Sequence, residues 1–137
     1  MEPGKLTLTL VTPEHAVLEK VSCQEVSLPA LDGEIGILPG HTPLITLLGI
    51  GTVTYRDGNK KTSVAVRDGF AEIVSDVVRV LADQAATRET IDAPAVSREK
   101  EEAEKSRLAV VGDEALTVAS ANVAFADARL QVVASRA

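Results

Sequence analysis

Tryptophan is missing from this 137-residue chain, and other large anchors are scarce: one Tyr (Tyr55), two Phe (Phe70, Phe125) and one Met. An interior with so few rings must be filled by Val, Leu, Ile and Ala, which pack by shape. The same scarcity argues against an aromatic-lined pocket for a small ligand. The single Cys23 has no partner for an internal disulfide. Only His15 and His41 could join it as soft metal ligands, so no metal site is expected and a reduced, intracellular chain is the plain reading. Basic excess is also lacking: 14 Lys and Arg stand against 20 Asp and Glu, a net charge of -6, and no basic cluster stands clear of acids. That excludes an electrostatic grip on nucleic acid or on an anionic membrane surface.

Long hydrophobic runs are absent. Met1-Glu2-Pro3-Gly4-Lys5 leads into alternating Thr and Leu, so neither a signal peptide nor a membrane span is expected. Any membrane association must then come through partners. Catalytic motifs are missing as well, with no G-x-S-x-G, no Walker Lys, no H-E-x-x-H and no C-x-x-C. A hydrolase built on His41 with Asp32 or Glu34 would lack a nucleophile with an oriented base.

What is present is 45% hydrophobic and 25% charged residues, enough for a folded core. Leu6, Leu8 and Leu10 alternate with Thr7 and Thr9, the period of a half-buried strand. Similar short runs follow at 16–21, 24–28, 35–38, 44–48, 52–55, 62–66, 70–74 and 77–81, which makes about nine strands. Turn chemistry separates them at Asp32-Gly33, Pro39-Gly40, Gly49-Ile50-Gly51, Asp57-Gly58-Asn59 and Asp68-Gly69. No room remains for crossover helices, so a mainly antiparallel all-β sandwich or barrel is expected over residues 1–86.

Past Asp83 the chain turns Ala-, Glu- and Arg-rich, with no Gly until Gly112. Residues 87–137 therefore read as an antiparallel two-helix hairpin. Asp92 followed by Pro94 opens a first helix over about 92–110, ending near Gly112. Leu116, Ala119, Val123, Ala126, Leu130 and Val133 then recur at helical spacing over about 114–135. The first helix offers a thin apolar seam, Ala93, Val96, Ala103 and Val110, so weak docking is expected.

The densest local pattern is Gly33-Glu34-Ile35-Gly36-Ile37-Leu38-Pro39-Gly40-His41-Thr42-Pro43-Leu44. Gly33, Gly36, Pro39, Gly40 and Pro43 fix a tight path that presents Glu34 and His41, as either a binding surface or a structural loop. This pattern resembles the signature of the epsilon subunit family of F-type ATP synthases, the bacterial and chloroplast counterpart of mitochondrial delta. The resemblance runs the length of the chain, through Val11-Thr12-Pro13-Glu14, Asp68-Gly69-Phe70-Ala71-Glu72-Ile73, Val78-Arg79-Val80-Leu81-Ala82-Asp83 and the helical tail.

The resemblance implies a β-sandwich of about ten strands in the central stalk of a proton- or sodium-translocating rotary motor. Such a subunit is non-catalytic and peripheral on the cytoplasmic face of the bacterial inner membrane. It couples rotation of the c-ring to the catalytic head through gamma. By the same resemblance Glu34 would lie toward the c-ring loops and His41 toward gamma, while the hairpin would reach the alpha and beta catalytic subunits and regulate hydrolysis. Some relatives bind ATP through Ile/Leu-Asp-x-x-Arg-Ala. Here the stretch is Ile91-Asp92-Ala93-Pro94-Ala95-Val96, so Ile91 and Asp92 remain but Ala95 stands in place of Arg. Without that guanidinium no cofactor is expected. Inhibition by the tail is expected to be weak, because residues 113–137 carry Arg129 and Arg136 against Asp113, Glu114 and Asp127. A free-standing β-sandwich binding module is the rival reading.

Overall fold

A computed structural model describes residues 4–134. Eight strands precede the helices: β1 (Leu6–Val11), β2 (Ala16–Cys23), β3 (Glu25–Ala30), β4 (Gly33–Ile37), β5 (Leu44–Leu47), β6 (Ile50–Asp57), β7 (Lys60–Val74) and β8 (Val77–Ala86). A single 3-10 turn, Arg88–Thr90, leads to α1 (Ala93–Ala109) and α2 (Asp113–Ala134). The strands form the sheet order β2-β1-β8-β7-β6-β3-β4, with β5 also paired to β7. All pairs are antiparallel except β1 with β8.

Among the described residues the strand number is eight, below both the nine runs of the sequence and the ten implied by resemblance. The runs 62–66 and 70–74 are one strand, β7, and Asp68-Gly69 is a bend inside it. Both residues have positive φ, 58° at Asp68 and 116° at Gly69. Along one edge β7 pairs first with β6, through residues 60–67, and then with β5, through residues 70–73. Along the other edge β8 pairs with it on both sides of the bend. Backbone hydrogen bonds from Asp68 N to Gly49 O (3.0 Å) and from Leu48 N to Gly69 O (2.9 Å) tie the β5–β6 corner to the same point.

This bend makes one sheet into a sandwich. Before it, Val64 and Val66 enter the main core, while Ala65 faces the hairpin. After it, Ala71 and Ile73 enter the core, so the inward residues switch from even to odd numbers. A strand alternates faces with period two, so an irregularity is needed to switch the inward set, and the left-handed Asp68-Gly69 pair supplies it. The core between the two halves is aliphatic, with Leu6, Leu8 and Leu10 of β1 meeting Val26 and Leu28 of β3 and Ile37 of β4. Cys23 is fully buried in it; burial, with the Asp57 charge second, pushes its thiol above the ordinary 9.0.

The helices begin as their sequence dictates. Asp92 is the N-cap of α1 and accepts from Ala95 N at 3.2 Å, with Pro94 in the first turn. The C-cap is Val110, whose N–H donates to Ser106 O at 2.9 Å, and Gly112 (φ 102°) turns the chain into α2, where Asp113 is already helical. Residues 135–137, including Arg136, lie outside the described residues.

α2 docks on β6 and β7, and α1 packs chiefly on α2. Phe125, Ala128 and Val132 share a stripe at helical spacing and bury against Ala65, with Ile50, Ala86 and Ile91 around them. Leu116, expected on the buried face, is 44% exposed. α1 buries only Val96 and Ala103, the thin seam its composition predicts. Polar cross-links supplement it: Lys100 to Asp127 at 2.8 Å and Glu99 to Arg129 at 2.7 Å. Those pairs run in opposite directions along the two helices, as an antiparallel hairpin requires.

Candidate interaction surface

β3 and β4 form a hairpin closed by Leu31-Asp32, and Gly33, the first residue of β4, takes φ 133°. Glu34 follows at the start of β4, exposed and opposite Pro29. Its Oε1 accepts from Ser27 Oγ at 2.6 Å. Ser27 pairs in register with Gly36, and nothing lies within 4 Å of where a Gly36 Cβ would be. The hydrogen bond from Ser27 makes Glu34 a held acidic group and not a free one.

Beyond β4, Leu38-Pro39-Gly40-His41 is a type II turn. Pro39 occupies its second position, Gly40 has φ 86°, and His41 N donates to Leu38 O at 3.1 Å. Gly40 N donates to Asp76 Oδ1 at 2.7 Å, which joins this turn to the one between β7 and β8. His41 Nδ1 lies 2.7 Å from Thr42 O, so Nδ1 donates and Nε2 is left for a partner. Pro43 is exposed and leads into β5. His41 bonds a backbone carbonyl and Glu34 a hydroxyl, and among the described residues His41 is hydrogen-bonded to neither Asp32 nor Glu34. Among the described residues no group of three or more His, Cys, Asp or Glu is placed to hold a metal ion.

Sequence reasoning missed a second feature beside this loop. On the outer face of β5, β7 and β8 the row Leu47–Phe70–Leu81 is in register, exposed 61%, 42% and 39%. The next row is Ile45–Glu72–Arg79, where Arg79 Nη1 donates to Glu72 Oε1 at 3.1 Å. Val74 extends the patch. Grouped exposed side chains of this size mark a protein-binding face. The signal in the sequence is Phe70 and Val74, four residues apart and so on one side of a strand. Only the bend at Gly69 decides that this side faces out.

Ile91, Asp92 and Ala95 line a small cavity of about 180 Å³ together with Glu99 and Arg129; Ala95, Glu99 and Arg129 also line a cavity of about 850 Å³ between the hairpin and the sheet, with Arg67, Arg98 and Phe125. Ile91 and Asp92 both have structural work, Ile91 in the hairpin–sheet cluster and Asp92 as the α1 cap. Arg129 is engaged with Glu99 and lies over the Phe125 ring at 4.6 Å, and Arg67 Nη1 donates to Asn122 at 2.9 Å.

Residues 5–88 match the family model of the ATP synthase delta/epsilon chain β-sandwich domain. The chain belongs to the ATP synthase delta/epsilon family. The ATP synthase epsilon chain of Solibacter usitatus is 43% identical, covering 91% of this chain and 98% of its own. That of Prochlorococcus marinus is 37% identical over 96% of this chain and 98% of its own. The likeness of this delta/epsilon chain therefore extends through the hairpin. Among solved structures, a chain of the Euglena gracilis mitochondrial ATP synthase (OSCP, F1 and c-ring) superposes with a TM-score of 0.82 at 21% identity, covering 98% of this chain and 84% of that one. A chain of the Tetrahymena thermophila central stalk and c-ring gives 0.65 at 15% identity, over 94% and 99%. At these identities the structures speak for the fold. No helix among the described residues of this family member is long and apolar enough to cross a membrane.

Proposed function

We propose that this chain is the epsilon-type subunit of the rotary central stalk of an F-type ATP synthase, coupling c-ring rotation to the catalytic head through gamma. The observation that carries this reading is its membership of the delta/epsilon family, with 43% identity to an epsilon chain over almost its whole length. The subunit is non-catalytic and works by contact. It is held at the cytoplasmic face of the membrane through its partners.

The surface chemistry supports a division of labour. Glu34, exposed and fixed by Ser27, suits the polar loops of the c-ring. His41 on its rigid turn, beside the apolar rows of β5, β7 and β8, suits gamma. An exposed ion pair contributes only about 0 to 1 kcal/mol, so the apolar face supplies most of the affinity for gamma. The Glu72–Arg79 pair inside that face favours one register, because a misplaced partner would bury charge without compensation.

The hairpin reaches the alpha and beta subunits and inhibits hydrolysis only weakly, since its last helix has few basic side chains and Arg129 is spent inside the hairpin. ATP is not a ligand in this reading. Ala95 brings no cation to the cavity, and Ile91 and Asp92 are occupied structurally. Pull-down of the tagged chain from its native membranes tests the whole proposal. Gamma and the catalytic subunits should come with it, and recovery free of ATPase subunits would refute it.

A further inference from the structure

The turn between β7 and β8 is built in an unusual way. Val74 pairs with Val77, which leaves Ser75 and Asp76 as the two central residues of a tight hairpin. Both take positive φ, 50° and 63°. A two-residue turn of this hand favours Gly or Asn, because a side chain in the left-handed region costs conformational energy. Neither position here is Gly.

Asp76 turns that cost to use. Its carboxylate Oδ1 accepts the Gly40 N–H at 2.7 Å, across 36 residues of sequence. Its backbone carbonyl accepts Thr7 N at 2.9 Å, which anchors the turn to β1. The remaining hydrogen bonds around His41 are local, from His41 N to Leu38 and from Nδ1 to Thr42. They shape the turn without fixing where it sits. Among the side-chain and turn hydrogen bonds of the described residues, the one to Asp76 ties the Pro39–Gly40 turn to another part of the fold.

We infer that Asp76 is a positioning residue for the gamma contact: it holds the His41 turn at the edge of the apolar β5–β7–β8 face, so that both meet one partner as a single rigid surface. This rests on the reading of His41 as the gamma-side residue. Pre-ordering a binding loop raises affinity, because the loop's freedom is not lost at the moment of binding. It also explains why an acid stands where Gly would be less strained. Glycine could adopt the turn but would have nothing to offer Gly40.

The two demands on residue 76 separate cleanly by substitution. Asp76→Gly relieves the backbone and removes the acceptor; Asp76→Asn keeps an acceptor oxygen and tolerates positive φ. The full-length chain and both variants would be titrated into purified gamma by calorimetry, with the Gly40 amide followed by hydrogen exchange in NMR. Asp76→Gly should weaken gamma binding by about tenfold and expose the Gly40 amide, while its unfolding temperature stays level or rises. Asp76→Asn should stay within about threefold of the parent for gamma. If Asp76→Gly binds gamma like the parent although the Gly40 amide is exposed, the positioning role is wrong and the gamma reading stands. An unchanged Gly40 amide would refute the hydrogen bond itself. Should the parent chain fail to bind gamma, the proposed function falls, and the role of Asp76 in it falls too.

Discussion

Gly69→Ala is the sharpest test of how this sandwich is made. A Cβ at Gly69 would sit 1.9 Å from Leu81 O and 2.9 Å from Ala82 Cα, and the residue has φ 116°. Carbon and carbonyl oxygen tolerate about 3.3 Å. The β8 backbone would therefore have to retreat by more than about 1 Å, beyond what a ladder hydrogen bond survives. Backbone strain of about 1 to 3 kcal/mol adds to about two weakened ladder bonds worth about 1 kcal/mol each, or roughly 3 to 5 kcal/mol in all. With a urea slope near 2 kcal/mol per molar, the unfolding midpoint should fall by about 2 M. Gly36→Ala is the control, because nothing lies within 4 Å of its Cβ and its backbone is ordinary. That variant should stay within about 0.5 kcal/mol of the parent. If the two variants unfold at the same urea concentration, the account of the bend is wrong.

Three further outcomes are expected. Cys23 is buried with its thiol pushed above the ordinary 9.0, so in the native protein it should resist a thiol reagent at pH 8 and react at the rate of unfolding; rapid labelling without urea would contradict that. Glu99→Gln and Arg129→Gln should show a coupling of about 1 kcal/mol in a double-mutant cycle read by thermal unfolding, since Arg129 is only 17% exposed and bonded to Glu99 at 2.7 Å; strictly additive losses would mean that the pair does not hold α1 to α2. Deleting residues 87–137 should raise the ATPase activity of the assembled enzyme only slightly, and a large rise would show that the hairpin inhibits strongly despite its acidic character.

Local chemistry was readable wherever one segment satisfies itself. The alternation of Leu6, Leu8 and Leu10 needs only period two to predict a half-buried strand, and Asp92 with Pro94 needs only the free N–H groups of a helix start. Pro39-Gly40 likewise carries its own turn type. The sequence by itself thus determined the β-then-hairpin order, the turn that bears His41 and, through its signature, the family. Tertiary structure alone decided where those parts meet. Asp68-Gly69 reads as a turn until β8 is seen to run past both sides of it. Phe70 and Val74 read equally well as core until that bend points them outward. Asp76 reaches Gly40, and Arg129 reaches Glu99, across 36 and 30 residues. Periodicity and turn propensity describe neighbours along the chain, whereas these contacts depend on the twist and packing of strands that are distant in sequence.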